Sequence, residues 1–212
     1  MARTLKDTNP SPPAPLPQGE RSEPLPIYIL SGGKSSRFGS DKARAELNGE
    51  PLLKRIVRIL QPCAESFTAV ADVADKYADL GIRTIADTRP GLGPMGGLLA
   101  ALKDRREQGW LLLCSCDMVA LDCAWVETLA AARSNTALAV AFQGERVEPL
   151  FALYHSQLIG KVEQCAEAGE LSPSRLILEV SSVILPLPHN WPEFAHVNTR
   201  DELQKVSGAS RP

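Results

Sequence analysis

From Ile27 onward, short apolar runs alternate with longer segments whose apolar residues recur at helical spacing. Few folds accept that order, because strands separated by helices have to cross over and pair in parallel. Residues 27–30 read as a buried strand. Pro51 opens an amphipathic helix through Leu60, with Leu52, Leu53, Ile56, Val57 and Leu60 facing inward. Strands are expected over 67–71 and 82–86, a helix over 95–107, and the strongest strand over 110–116. Asp122 caps a helix ending near Arg133. Strands over 136–142 and 150–154 follow, then a helix over 158–167 and another opened by Ser172 and Pro173. The last strand is expected over 183–187. Thr199 and Glu202 form a capping box for the final helix. The pattern predicts a three-layer α/β domain with a mostly parallel central sheet.

With 212 residues, 44% of them apolar, the chain has material for one well-buried domain. Residues 1–26 stand apart. They hold seven of the 17 prolines and no aromatic residue, so they cannot bury enough area to offset ordering entropy. The expected layout is a disordered leader over 1–26, a domain over 27–206 and a flexible tail over 207–212. A formal charge of -2 gives no basic excess for nucleic acid. No apolar stretch is long enough to span a bilayer, and none resembles a secretory signal. Five cysteines, Cys63, Cys114, Cys116, Cys123 and Cys165, include no C-x-x-C pair, which argues against a disulfide framework or a zinc ribbon. Cys114 and Cys116 read as buried small hydrophobes. His155, His189 and His196 are scattered. Reduced thiols without a signal point to the cytoplasm, with no membrane partner.

The first strand runs directly into Ser31-Gly32-Gly33-Lys34-Ser35-Ser36-Arg37-Phe38-Gly39-Ser40-Asp41-Lys42. Open α/β sheets bind ligands beyond the carboxyl ends of their strands, where this loop must lie. Gly32 and Gly33 let backbone approach a ligand, and successive free N–H groups form a concavity for anions. Arg37 offers a fork of donors for phosphate oxygens, and Lys42 a mobile point charge. Lys34, Arg37 and Lys42 together suit a triphosphate. A solvated surface turn would have the same composition.

Two other motifs compete. Gly33-Lys34-Ser35 resembles the end of a P-loop, but the position five residues earlier is Tyr28, not glycine. Gly91-Leu92-Gly93-Pro94-Met95-Gly96 matches a dinucleotide fingerprint between a strand and a helix, although Pro94 removes an N–H where pyrophosphate would bind. A nicotinamide-binding module, or a nucleotide-binding protein without turnover, therefore remains an alternative at this point. Asp117 follows the strongest strand directly, at the same sheet edge as the Gly-rich loop, where one carboxylate can anchor a magnesium ion shared with substrate phosphates. Asp117 also reads as a plain strand terminator. Asp87 ends another strand and reads as a loop former or as an acceptor for a base or ribose.

In combination these segments resemble the molybdenum cofactor guanylyltransferase family. The resemblance rests on Leu30-Ser31-Gly32-Gly33, Arg37-Phe38-Gly39, Asp41-Lys42, the segment from Asp87 to Gly97, Cys116-Asp117, Glu148 to Tyr154, and Val197-Asn198-Thr199, and covers residues 27 to about 205. Ser31 stands where alanine is usual, Phe38 where methionine is usual, and Val119 where proline is common. His196 occupies a position often held by asparagine. The resemblance implies a Rossmann-like nucleotidyltransferase fold. It implies that GMP passes from GTP to molybdenum-loaded molybdopterin, with pyrophosphate released. Leu30, Ser31, Gly32, Gly33, Lys42, Asp87 and Asp117 would hold the nucleotide and its metal, Arg37 and Lys42 would serve the reaction, and Asp117 with Asn198 would ligate Mg2+. It also implies transient contact with proteins that deliver molybdopterin or receive the product. The sister cytidylyltransferase, using CTP, is the nearest rival.

Overall fold

The structure is a computed structural model that describes residues 23–32, 41–87, 89, 91–105, 107–170, 172–192 and 195–209. Most of the proline-rich leader, along with Gly33, Lys34 and Arg37, lies outside the described residues.

Nine strands and six α-helices are described. Strand β1 (Leu25–Leu30) is buried on both faces, as the central strand of a parallel sheet must be. A short hairpin, β2 (Glu46–Leu47) and β3 (Glu50–Pro51), turns through Asn48 and Gly49, whose φ angles of 55° and 80° suit the tight turn of a two-residue loop. The strand reading omits this hairpin, because two residues per strand carry no alternation. Helix α1 (Leu52–Leu60) buries Leu52, Leu53, Ile56 and Leu60, and Val57 is half-buried. Strands β4 (Ala64–Ala71) and β5 (Thr84–Ala86) follow.

Helix α2 (Pro94–Asp104) stops three residues before the expected end. Arg105 leaves the helical region, and Gly109 takes φ 141° to redirect the chain into β6 (Trp110–Ser115). Helix α3 (Cys123–Ala131) is capped as expected, with the Asp122 carboxylate accepting from Ala124 N–H at 2.9 Å. Strand β7 (Ala139–Gln143) starts later than expected, because the Ser134 hydroxyl accepts from Ala137 N–H and holds the preceding residues in a turn.

Strand β8 (Val147–His155) is longer than expected. Pro149 is tolerated because it lies where the register between β7 and β8 shifts, so no ladder donor is missed there. Helices α4 (Ile159–Glu167) and α5 (Pro173–Glu179), the latter capped by Ser172, precede β9 (Ser182–Pro186). Helix α6 (Arg200–Ala209) closes the described chain. Thr199 Oγ1 accepts from Glu202 N–H, while the Glu202 carboxylate reaches back to Asn198 N–H, one residue before the partner a capping box would use.

The main sheet runs β5-β4-β1-β6-β8-β7-β9. Six strands share one direction and β8 alone is reversed, which makes the sheet mostly parallel as expected. Side chains alternate across it. Ile27, Ile29, Leu112, Cys114, Phe142 and Phe151 pack with α1 and α3 on one face. Tyr28, Val70, Leu111, Leu113, Ala141 and Tyr154 pack with α2, α4 and α5 on the other. A third cluster, Leu47, Leu52, Val119, Val197 and Leu203, fastens α6 to the hairpin beside the carboxyl edge.

Candidate active site

Three loops leave the carboxyl edge of the sheet at one level. Ser31 N–H donates to Val70 O at 2.8 Å, Cys116 N–H to Leu30 O at 3.0 Å, and Asp87 N–H to Ala71 O at 2.6 Å. These bonds continue the ladders by one residue, so Ser31, Asp87 and Asp117 emerge at the same sheet edge, from β1, β5 and β6. Leu30 and Ser31 thus start the Gly-rich segment at the centre of the sheet. A Cβ on Gly32 would lie 3.4 Å from Ala71 Cα, so the loop stem runs close against the β4 backbone. The far stem is Asp41, whose carboxylate accepts from Ala43 N–H at 3.1 Å and caps the single turn Lys42–Arg44.

The two ends of the expected nucleotide site meet. Lys42 Nζ donates to Asp117 Oδ2 at 3.1 Å across 75 residues of sequence. The other oxygen, Asp117 Oδ1, lies 3.0 Å from His196 Nδ1, and His196 Nε2 lies 3.5 Å from Glu148 Oε2. Burial alone would push the Asp117 carboxyl up; His196, the Lys42 ammonium and Ser115 outweigh it and bring the group down to about 2. Burial likewise opposes charge on His196, but hydrogen bonds and charge from Asp117 and Glu148 lift it to about 9. Asp117 is therefore an anion with a positive group at each oxygen.

Tertiary pairing explains how His196 and Glu148 arrive. Residues 117–119 and 195–197 run antiparallel, with Val119 N–H donating to Ala195 O and Val197 N–H to Asp117 O. Val197 is fully buried, which leaves His196 and Asn198 on the other side of the segment. Glu148 lies on the stretch of β8 that runs beyond its last pairing with β6, Phe151 opposite Cys114. Among the expected site residues, Lys42 and Asp117 are thus in contact, and Leu30, Ser31 and Gly32 share their edge. Asn198 is beside them, but His196 is the residue that contacts the carboxylate. Sequence reasoning missed Glu148 as a site residue; its one signal was its place beside Pro149 in the segment that carried the family resemblance.

Asp87 is at the end of β5, with β4 between it and β1, and its Oδ1 accepts from Arg89 N–H at 2.9 Å. This bond organises the loop that the dinucleotide fingerprint occupies. That loop follows the edge strand β5, and Pro94 is the first residue of α2, so one helix N-terminal donor is missing. A Cβ on Gly96 would fall 2.9 Å from the Asp87 carboxylate, and one on Gly97 2.5 Å from Leu30 Cδ2. The glycines serve close packing of α2 against the ends of β5 and β1.

A magnesium ion fits this chemistry. Asp117 presents ionised hard oxygens, which a magnesium ion would share with, or take over from, Lys42 and His196. Among the described residues no group of three or more His, Cys, Asp or Glu is spaced to hold a metal, so substrate phosphates would have to complete the shell.

Solved structures place the fold. Molybdopterin-guanine dinucleotide biosynthesis protein A from Archaeoglobus fulgidus superposes with a TM-score of 0.74 at 20% identity, over 87% of this chain and 98% of that one. CMP:2-keto-3-deoxy-manno-octonic acid synthetase, solved with CTP, superposes with a TM-score of 0.71 at 13% identity, over 89% and 98%. The fold is that of the nucleotidyltransferases. The family described as MobA-like NTP transferase domain matches residues 27–183. The molybdenum cofactor guanylyltransferase of Pseudomonas fluorescens strain SBW25 is 34% identical over 196 residues, covering 89% of this chain and 98% of its own length. A probable molybdenum cofactor guanylyltransferase of Deinococcus radiodurans is 37% identical over 187 residues, covering 87% and 95%. The chain belongs to the MobA-like NTP transferases and, within them, to the molybdenum cofactor guanylyltransferase family.

Proposed function

We propose that the protein transfers GMP from GTP to molybdenum-loaded molybdopterin and releases pyrophosphate. The observation that carries the reading is the 3.1 Å contact of Lys42 with Asp117, which joins the Gly-rich loop to the strand-end carboxylate. Backbone N–H groups of Gly32 and Gly33 would cradle phosphate oxygens, with Ser31 and Leu30 forming the stem beneath them. Asp87 would accept from the base or ribose. Mg2+, held by Asp117 with Asn198 nearby, would supply charge neutralisation on the α-phosphate when bound.

The terminal phosphate of the pterin is already a nucleophile, so no side chain has to remove a proton. Its oxygen attacks the α-phosphorus in line, the bond from that phosphorus to the bridging oxygen breaks, and pyrophosphate departs with the electron pair. The protein's work is placement and charge compensation, by Lys42 and Arg37. We place the reaction in the cytoplasm, with transient contacts to proteins that supply molybdopterin or take the product. Thermal-shift titration tests the substrate choice. GTP with magnesium should raise Tm more than CTP, ATP or NADH, since a ligand that binds only the native state stabilises it. An equal or larger shift with CTP would sink the guanine assignment, and a shift with NADH alone would restore the dinucleotide reading.

A further inference from the structure

Tyr77 follows β4, far in sequence from both stems of the Gly-rich loop, yet its hydroxyl lies between them. It is 3.3 Å from Ser31 O and 3.1 Å from Asp41 Oδ1. Its ring is fully buried in the core cluster beneath α1. Its own backbone is tied down: Tyr77 N–H donates to Thr84 Oγ1 at 3.2 Å, and Tyr77 O accepts from Leu80 and Ile82 N–H groups. Thr84 belongs to β5, so the tyrosine is anchored to the sheet. Burial, then the neighbouring Asp41 charge, pushes the phenol well above its ordinary range, so it stays a donor, its one proton shared between the Asp41 carboxylate and the Ser31 carbonyl.

We propose that Tyr77 is a positioning residue for the nucleotide, its hydroxyl clamping both stems of the Gly-rich loop and thereby aiming Lys42. The argument runs through Asp41. That carboxylate caps the turn beginning at Lys42, and Lys42 reaches Asp117. Its Oδ1 is shared by Ala43 N–H and the Tyr77 hydroxyl, while Oδ2 faces Lys76 at 3.5 Å and Arg44 at 3.7 Å. The cations stand over the tyrosine ring as well, 5.3 Å for Arg44 and 5.7 Å for Lys76, so the ring and the carboxylate hold one cluster. Fixing Asp41 fixes the turn from which Lys42 projects, so less ordering is left to be done when phosphate binds. The clamp rests on the nucleotide site proposed above.

Tyr77→Phe tests it, because the ring, its packing and its cation contacts remain and only the hydroxyl goes. Calorimetric titration at a temperature well below Tm should show GTP binding weakened about tenfold, the scale of one hydrogen bond to a carboxylate. Turnover at saturating GTP should fall as well, about threefold to tenfold and well short of the Lys42→Ala loss, since Lys42 is still present but less well aimed. Asp41→Asn should weaken GTP binding similarly, and the double variant should bind no worse than the weaker single one. Unchanged GTP affinity in Tyr77→Phe with only a lowered Tm, or additive losses in the double variant, would overturn the clamp while leaving the nucleotide site standing. A wild-type protein that does not bind GTP would overturn both.

Discussion

The two halves of the sheet meet at β6 and contribute to the site in different ways. On one side, β5, β4, β1 and β6 run parallel and end at one level, so their loops bring backbone N–H groups, Lys42 and Asp117 to a single edge. On the other side β8 is reversed between β6 and β7, and the half supplies side chains from a strand overshoot and a returning segment, Glu148 and His196. The parallel half holds what would touch phosphate and metal. The other half orients the carboxylate. A stack of parallel strand ends is a ready anion site whatever its side chains, whereas a reversed strand can reach the same edge only by carrying a side chain past its neighbour's end.

This division makes graded predictions. The largest effects belong to the parallel half. Asp117→Asn should lower pyrophosphate release from GTP by ~10²–10³-fold, the scale of losing one preorganised transition-state contact. Excess magnesium should restore part of it, because weakened metal binding is a mass-action defect. Lys42→Ala should fall by a similar ~10²-fold and respond little to magnesium. Near-normal turnover in Asp117→Asn would move the metal to Asp87; near-normal turnover in Lys42→Ala would hand the α-phosphate to Arg37 or Lys34.

The orienting half should matter less. His196→Ala leaves Asp117 with one partner fewer, and magnesium affinity read by titration should fall about tenfold, the low end for a group that supports a metal ligand. A loss as large as that of Asp117→Asn would erase the distinction between the halves and make His196 a ligand in its own right.

Packing beneath the edge should matter through stability. Gly97→Ala puts a Cβ into the space of Leu30 Cδ2 and should cost about 1 kcal/mol, measured by chemical denaturation, with GTP affinity little changed. The smallest effect is expected far from both halves. Arg58 pairs with Glu50 at the surface, and Arg58→Ala should leave Tm within ~2 °C and turnover intact.

Local signals carried much of the fold. The Asp122 cap, the Ser172-Pro173 helix start, the buried face of α1 and the strand that leads to Asp117 were legible because each is decided within a few residues of chain. Boundaries slipped where a side-chain bond within a turn set them, as at β7, or where β8 had to run on past Pro149. The hairpin at Asn48-Gly49 is local too, but two-residue strands leave no period to detect. In the site, Lys42 and Asp117 were readable as strand-end and loop residues. Tyr77 was not, since nothing near it in sequence marks a buried hydroxyl that would meet a loop stem 36 residues away.

By itself, the sequence determined the order of elements, the class of sheet and the residue types placed at the strand ends, because hydrophobic period and capping chemistry act over one or two turns of chain. Only the tertiary structure decided that β8 runs backwards, that residues 195–197 pair beside Asp117, and that His196, Glu148 and Tyr77 join the site. Those contacts span 36 to 79 residues, and their formation depends on which faces bury best together once the whole sheet is assembled.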